Sequence, residues 1–159
     1  MTQVGRRGVL VGIPGLVASG LATAAGGADT KSIEETVLAV SAEMTKAGEA
    51  LDADRLFGYM LDTDKVSVIQ NGTVMTTRQE ALEQVRSNLR GLAAVKYDWK
   101  RQYVTALSPE VALLAAEGQS TATTTAGQTF TAPFAQTVVF VLKDGAWRAI
   151  HAHQSAPRR

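Results

Sequence analysis

Apolar residues recur at helical spacing in three stretches of the first half of the chain. The first stretch begins with a capping box at Ser32–Glu35 and continues as one apolar stripe, Ile33, Val37, Val40, Met44, Ala47 and Leu51. Asp52 or Asp54 can cap a short second helix that runs to Leu61. Thr77 and Glu80 form another capping box, and the helix behind it carries Leu82, Val85, Leu89 and Leu92 on one face and stops near Gly91. The pattern therefore predicts three helices.

The remaining pattern is typical of strands. A short strand at Val66–Gln70 precedes Asn71-Gly72, a strong hairpin signal. Four longer strands follow, near Val95–Leu107, Val111–Thr124, Thr129–Leu142 and Trp147–Ser155. Gly118 and Pro133 fall inside two of them and indicate bulges or bends. Long bent antiparallel strands let a sheet curl, and a curled sheet closed by helices encloses a cavity. The fold class predicted is α+β.

The N-terminal segment has the features of an export signal. Arg6-Arg7 precedes a mildly apolar run that ends in Ala22-Thr23-Ala24, an A-x-A cleavage pattern, and this resembles a bacterial Tat signal. The run is too short and too rich in glycine to make a good membrane helix. We therefore expect a signal at residues 1–28, a domain at residues 29–159 and a periplasmic or secreted protein without stable membrane association after cleavage. An uncleaved N-terminal anchor is the alternative.

Composition removes several classes of function. The chain of 159 residues is 45% hydrophobic and 19% charged, with a net charge of +1, so nothing favours nucleic acid as a partner. It contains no cysteine, which excludes disulfides, thiolate metal sites and cysteine nucleophiles. Neither a glycine-rich phosphate loop nor a Gly-x-Ser-x-Gly elbow is present. Nucleotide-dependent and serine-hydrolase chemistry are disfavoured, and we expect no cofactor.

The last predicted strand points to a family. It reads Trp-Arg-Ala-Ile-His-Ala-His-Gln-Ser over residues 147–155, and together with Leu107–Ala112, Phe134–Thr137 and Asn71-Gly72 it resembles the SnoaL-like, nuclear transport factor 2-like (ketosteroid isomerase-like) superfamily. The resemblance implies a cone-shaped, curved mixed sheet whose concave face is covered by the three helices, and a homodimer formed through the outer sheet face. The acidic base and the Tyr/Asp pair of the ketosteroid isomerases have no residue-by-residue match here.

Two histidines are the first candidates for chemistry. His151 and His153 lie two apart on a strand, so we expect them to share a face with Trp147, and the resemblance directs that face toward the cavity. They could act as a general base or a hydrogen-bond anchor near neutral pH, or be satisfied structural residues. Metal binding would need a third ligand such as Asp62, Asp64 or Glu117, and we expect no metal site.

The other candidates are a carboxylate and a set of pocket residues. Asp62 follows the second helix at the expected mouth of the cone, where apolar walls would raise its pKa for proton transfer; a turn-forming role is the alternative. The predicted pocket residues are Tyr59, Trp99, Tyr103, Gln119 and Trp147. On one strand Trp99 and Tyr103 would share a face, either as wall packing or as a stacking surface for a flat ligand.

Two functions remain open at this point. One is a cofactor-independent isomerase, cyclase or lyase that moves protons on an apolar or ring-bearing substrate. The other is a non-catalytic module that binds a small molecule or oligomerises through its sheet. An enzyme of the first kind needs a titratable group with a shifted pKa beside the pocket, whereas a binding module needs only apolar walls and hydrogen bonds.

Overall fold

The first helix packs against the sheet. The computed structural model describes residues 29–156, so the predicted signal segment lies outside the described residues. Helix α1 (Thr30–Glu49) begins at Asp29, whose side chain accepts a hydrogen bond from the Lys31 backbone N–H at 3.3 Å. Ser32 was the predicted cap, and it lies inside the helix because Asp29 already caps the chain three residues earlier. The predicted apolar stripe is buried at Ile33, Val37 and Ala47.

The two other helices begin where the sequence predicts. Helix α2 (Ala53–Phe57) is capped by Asp52, which accepts from the Arg55 backbone N–H at 2.9 Å. It ends well before Leu61 because the chain turns and Met60 forms a bridge to Ala149. Helix α3 (Arg78–Leu89) has the predicted capping residue: the Glu80 backbone N–H donates to the Thr77 hydroxyl at 3.1 Å.

Within residues 29–156, six strands form one mixed sheet. Their bounds are β1 Ser67–Gln70, β2 Thr73–Met75, β3 Leu92–Ser108, β4 Val111–Thr124, β5 Thr129–Lys143 and β6 Ala146–Ser155. The spatial order is β2-β1-β6-β5-β4-β3, with β1 and β6 parallel and the other neighbours antiparallel. Asn71 and Gly72 make the predicted hairpin turn, with φ values of 53° and 80°. The turn leads into β2, a short strand that the pattern did not resolve.

The helices cover one face of this curved sheet, which is the concave face, and leave the other face uncovered by the described residues. The core lies between the two layers, and its largest fully buried side chains are Phe140, Met75, Leu114, Val37 and Val66. The predicted α+β class and the position of the helices are thus confirmed. Within residues 29–156 no helix is both long enough and apolar enough to cross a bilayer.

Among the register shifts of the described sheet, two decide which face the candidate site residues occupy. In β3 the pairing with β4 shifts between Trp99 and Arg101, and in β6 the pairing with β5 shifts between Ala149 and His151. Each shift inserts one unpaired residue, so the side chains before and after it no longer alternate between the two faces as one continuous series. A bend was predicted at Gly118 in β4, but the irregularity lies in β3, next to the residue that pairs with Gly118. At Pro133, where a bend was also predicted, the pairing of β5 with β4 is continuous.

Candidate functional site

A cavity of about 110 Å³ lies between the helices and the concave face of the sheet. Strands β1, β3, β5 and β6 form its floor, and all three helices contribute to its roof. Most of the wall is apolar, formed by Met44, Leu56, Phe57, Met60, Val68, Val85, Val138, Phe140 and Ala152. The cavity is therefore an apolar chamber made by elements that are distant in the chain.

A second hollow, of about 200 Å³, adjoins the cavity toward the end of the sheet that carries the β1–β2 turn. The two spaces share Gln70, Tyr97 and Gln154 in their walls. The outer space is also bounded by Asn71 in the hairpin turn and by Ala156 after β6. The three shared side chains thus stand between the inner cavity and the open end of the sheet.

Three aromatic rings form one corner of this space. Trp99 and Phe134 lie with ring centroids 5.0 Å apart and planes tilted by 58°, and Tyr97 stacks on Trp99 at 6.0 Å. Gly118 lies between Trp99 and Phe134 in the sheet register, and its missing side chain lets the two rings meet above it. The Trp99 indole N–H donates to the Thr45 hydroxyl at 3.2 Å, which attaches this corner to α1.

A chain of side-chain amides crosses the floor of the cavity. The Gln70 Nε2 group donates to Gln154 Oε1 at 2.8 Å, and the Gln154 Nε2 group donates to Gln136 Oε1 at 3.3 Å. The chain begins on α3, where Asn88 accepts from Gln84 at 3.0 Å and donates to Gln70 Oε1 at 3.3 Å. All these hydrogen bonds run in one direction, from the helix surface toward the centre of the sheet.

None of the described residues that line the cavity has a side chain that is charged at neutral pH. Among its lining residues only Tyr97 is titratable, and burial raises the pKa of Tyr97, with the nearby charge of Glu49 adding to the effect. Tyr97 is therefore a neutral phenol under physiological conditions.

The predicted pocket residues separate into three groups. Trp99 lines the cavity as predicted, and Trp147 points to the same side but is buried in the core without lining the cavity. Tyr59 is half-buried beside β6, where its carbonyl accepts from the Ala149 backbone N–H at 2.9 Å. Tyr103 and Gln119 lie on the convex face. For Tyr103 the expectation of a face shared with Trp99 is wrong, because the shift in β3 lies between the two residues.

The expectation that His151 and His153 share a face with Trp147 is also wrong. The shift in β6 leaves Ala149 opposite Phe140 and His151 opposite Val139, so Ile150 is the extra residue. Beyond it, Ala152 and Gln154 face the cavity and the histidines face outward. His151 Nδ1 lies 2.8 Å from the Ser67 hydroxyl in a hydrogen bond that joins β6 to β1.

Asp62 lies away from the cavity as well. It is exposed in the segment between α2 and β1 and is not part of the cavity wall. In the described part of the chain no three His, Asp or Glu side chains are close enough together to hold a metal ion. The three predicted catalytic residues are thus placed at two surfaces, and the cavity contains none of them.

His153 belongs instead to a shallow groove of about 310 Å³ on the convex face. Small residues of β4 and β5, Ala115 and Ala135, form its floor. Arg101 and Glu117 form an ion pair in its wall, with Nη2 and Oε1 2.7 Å apart. Both side chains of the pair are largely exposed, so it contributes little stability.

The sequence from residue 37 to residue 159 matches the family model described as a SnoaL-like domain. The chain belongs to the SnoaL-like domain family. No curated protein matches it.

Solved structures share the fold of this SnoaL-like domain at low identity. A candidate dehydratase of the nuclear transport factor 2-like family from Streptomyces avermitilis is 18% identical, with a TM-score of 0.74 over 82% of this chain and 100% of that one. A nuclear transport factor 2-like superfamily protein from Salmonella enterica serovar Typhimurium is 13% identical, with a TM-score of 0.75 over 82% and 95%. A candidate calcium/calmodulin-dependent protein kinase II association domain from Xanthomonas campestris is 18% identical, with a TM-score of 0.68 over 77% and 86%. These names cover both enzymes and association domains, so the fold does not decide the function.

Sequence reasoning missed the amides of the SnoaL-like domain's cavity. A signal for Gln136 was present, since it interrupts the apolar series Phe134, Val138 and Phe140 on the inward face of β5. Gln154 could not be found by alternation, because counting by two from Trp147 places it on the opposite face. Its inward position depends on the shift in β6.

Proposed function

We propose that this protein binds a small, uncharged ligand in the cavity without taking part in proton transfer. The observation that carries the proposal is the composition of the wall: apolar side chains, amides and hydroxyls, with Tyr97 as the one titratable residue among those that line it. A charged ligand would lose its hydration without gaining a partner of opposite charge, at a cost of several kcal/mol. An uncharged ligand loses much less and gains the apolar contacts.

The size of the cavity limits the ligand. An apolar cavity of about 150 Å³ holds one benzene molecule, and pockets for drug-sized molecules measure about 300–1,000 Å³. At about 110 Å³ the inner cavity accepts a group the size of one small ring. Any longer substituent would extend past Gln70, Tyr97 and Gln154 into the outer hollow.

The test is native mass spectrometry of the protein recovered from its own cells. Ala152→Leu would fill the cavity, because Ala152 lines it, and Ala42→Leu on the exposed face of α1 is the matched control. We expect a bound small molecule in the wild type and in the control, and none in Ala152→Leu. Equal retention by both variants, no bound molecule in the wild type, or chemical conversion of the released molecule by fresh protein would each overturn the proposal.

We also propose that the protein forms a homodimer through its convex sheet face. Tyr103 is 60% exposed there, and Leu113, Val139 and Val141 are only half-buried on a face that no described element covers. Burying such a surface against a second copy would remove apolar area from water. In sedimentation equilibrium we expect twice the mass of one chain for the wild type and a single-chain mass for Tyr103→Glu. A wild-type monomer at high concentration would contradict the proposal.

We propose, finally, that the protein acts outside the cytoplasm after cleavage of its signal. The support is the sequence of the N-terminal segment, Arg6-Arg7 followed by Ala22-Thr23-Ala24. N-terminal sequencing of the exported protein should then start near Ala25. Recovery of the chain with an intact Met1 in the membrane fraction would show an anchor instead.

A further inference from the structure

Among the amide nitrogens of the described cavity wall, that of Gln136 alone makes no hydrogen bond to another amide. Gln136 Oε1 accepts from Gln154, Gln154 Oε1 accepts from Gln70, and Gln70 Oε1 accepts from Asn88. Every amide oxygen in the cavity wall therefore already accepts a hydrogen bond from a neighbouring amide. Among the described residues, the Gln136 Nε2 group donates to no side chain or backbone atom, so its N–H groups remain for a ligand.

The sheet register explains why the chain of amides ends at Gln136. Gln154 pairs with Gln136, and Gln136 pairs on its other side with Ala116. Ala116 has no polar group, so it interrupts the row before Gln102 on β3, which pairs with Ala116 from the far side. Gln102 donates instead to the Ser41 hydroxyl at 3.5 Å. The last donor of the chain thus lies beside a gap in the row rather than against another amide.

We propose that the ligand is an uncharged, single-ring carbonyl compound whose oxygen accepts a hydrogen bond from Gln136 Nε2, and that Asn88 at the helix surface sets this preference through the amide chain. The proposal rests on the function proposed above, because it requires a ligand in the cavity. An N–H that faces an apolar cavity gains a hydrogen bond from a ligand oxygen, and a carbonyl oxygen accepts without needing a proton acceptor in return. A ligand that only donates would meet the hydrogens of Gln136 instead of its oxygen.

The role of Asn88 follows from the chemistry of amides. An amide group can donate from its nitrogen or accept at its oxygen, and each amide in a chain fixes the orientation of the next. An aspartate in place of Asn88 would only accept, so Gln70 would turn its Nε2 toward that carboxylate and its oxygen toward Gln154. Gln154 and Gln136 would then turn in the same way, and Gln136 would present its oxygen to the cavity.

The experiment compares two ring-sized probes, cyclopentanone, which only accepts, and pyrrole, which only donates. Binding of each to the full-length wild type is measured by NMR titration, followed at the side-chain amide signals of Gln136 and Gln154. In Gln136→Leu we expect cyclopentanone to bind about five- to tenfold more weakly, the loss of one ordinary hydrogen bond, while pyrrole changes little. Gln136→Asn, which keeps an amide but withdraws it by one carbon, guards against a variant that fails to fold.

The decisive variant is Asn88→Asp, with Ser87→Asp as its control. Both residues are exposed on α3 and both changes add one negative charge, but Ser87 is outside the amide chain. We expect the ratio of cyclopentanone affinity to pyrrole affinity to fall by about tenfold or more in Asn88→Asp and to stay unchanged in Ser87→Asp. Equal ratios in the two variants would overturn the proposed carbonyl preference.

The outcomes also separate this proposal from the one on which it rests. If both probes bind, Ala152→Leu blocks them and Gln136→Leu weakens both equally, the cavity binds ligands but Gln136 does not select them. In that case the present inference is wrong and the proposed function stands. If neither probe binds the wild type, and no molecule is recovered with the protein from its cells, both proposals are wrong.

Discussion

Gly118 lies in β4 where the backbone of β3 passes closest to it. A Cβ atom added at this position would approach the Asp98 carbonyl oxygen to well under 3.0 Å and the Trp99 Cα atom to 3.1 Å. Ordinary C···O contacts between neighbouring strands measure about 3.3–3.6 Å. Gly118→Ala therefore requires the β3 backbone to withdraw by about 1 Å, since the obstructing atom belongs to a main chain and not to a flexible side chain.

The cost follows from what holds β3 in place. Its residues on both sides of this point are paired with β4, and the Trp99 ring is held by Phe134 and by the hydrogen bond to Thr45. Forcing an extra methyl group into such packing typically costs 1–3 kcal/mol, and we expect about 2–3 kcal/mol here. That corresponds to a fall in Tm of roughly 10 °C for a domain of this size. Trp99 should also move, and the cavity wall with it.

Thermal unfolding followed by circular dichroism and by tryptophan fluorescence would measure both effects. Gly91→Ala is the control, because an added Cβ there meets nothing within 4 Å. Its Tm should stay the same or rise slightly, because restricting the unfolded chain adds about 0.4–1 kcal/mol to the free energy of unfolding. If Gly118→Ala were as stable as Gly91→Ala, with unchanged fluorescence, the close approach of β3 to β4 described here would be wrong.

Three further predictions concern single side chains. Because the pKa of Tyr97 is raised in the folded protein, its contribution to stability is fully present below pH about 10 and is lost as the pH rises through the folded pKa. In urea unfolding at alkaline pH, Tyr97→Phe should therefore lose less stability than the wild type, and equal losses would contradict this. His151→Ala should lower the free energy of unfolding by about 1 kcal/mol, because the hydrogen bond to Ser67 is lost, and should leave cyclopentanone binding unchanged. A variant of full stability that no longer binds cyclopentanone would show that His151 belongs to the binding site. Trp99→Phe should weaken ligand binding several-fold, measured by the same NMR titration, because the ring surface shrinks and the bond to Thr45 is lost; unchanged binding would place the ligand elsewhere.

The local features of this protein were predictable because they depend on neighbours in the chain. A threonine followed three residues later by a glutamate caps a helix wherever it occurs, and Thr77 does so here. Asn71-Gly72 adopts the left-handed conformation of a tight turn for equally local reasons. The long strands, the helices over the sheet and the family itself followed from such signals together with the terminal Trp147–Ser155 motif. These signals determined the architecture and the presence of a cavity.

The contents of the cavity were decided by pairing between strands. Alternation along a strand is a local rule, and it holds only while every residue has a partner. One unpaired residue at Ile150 turns His151 and His153 outward and Gln154 inward, and one in β3 sends Tyr103 to the convex face. Where an extra residue can be accommodated depends on the neighbouring strand, which is distant in the chain. The row of Gln70, Gln154 and Gln136 joins three strands in the same way, so only the assembled sheet could reveal that the cavity presents amides instead of histidines.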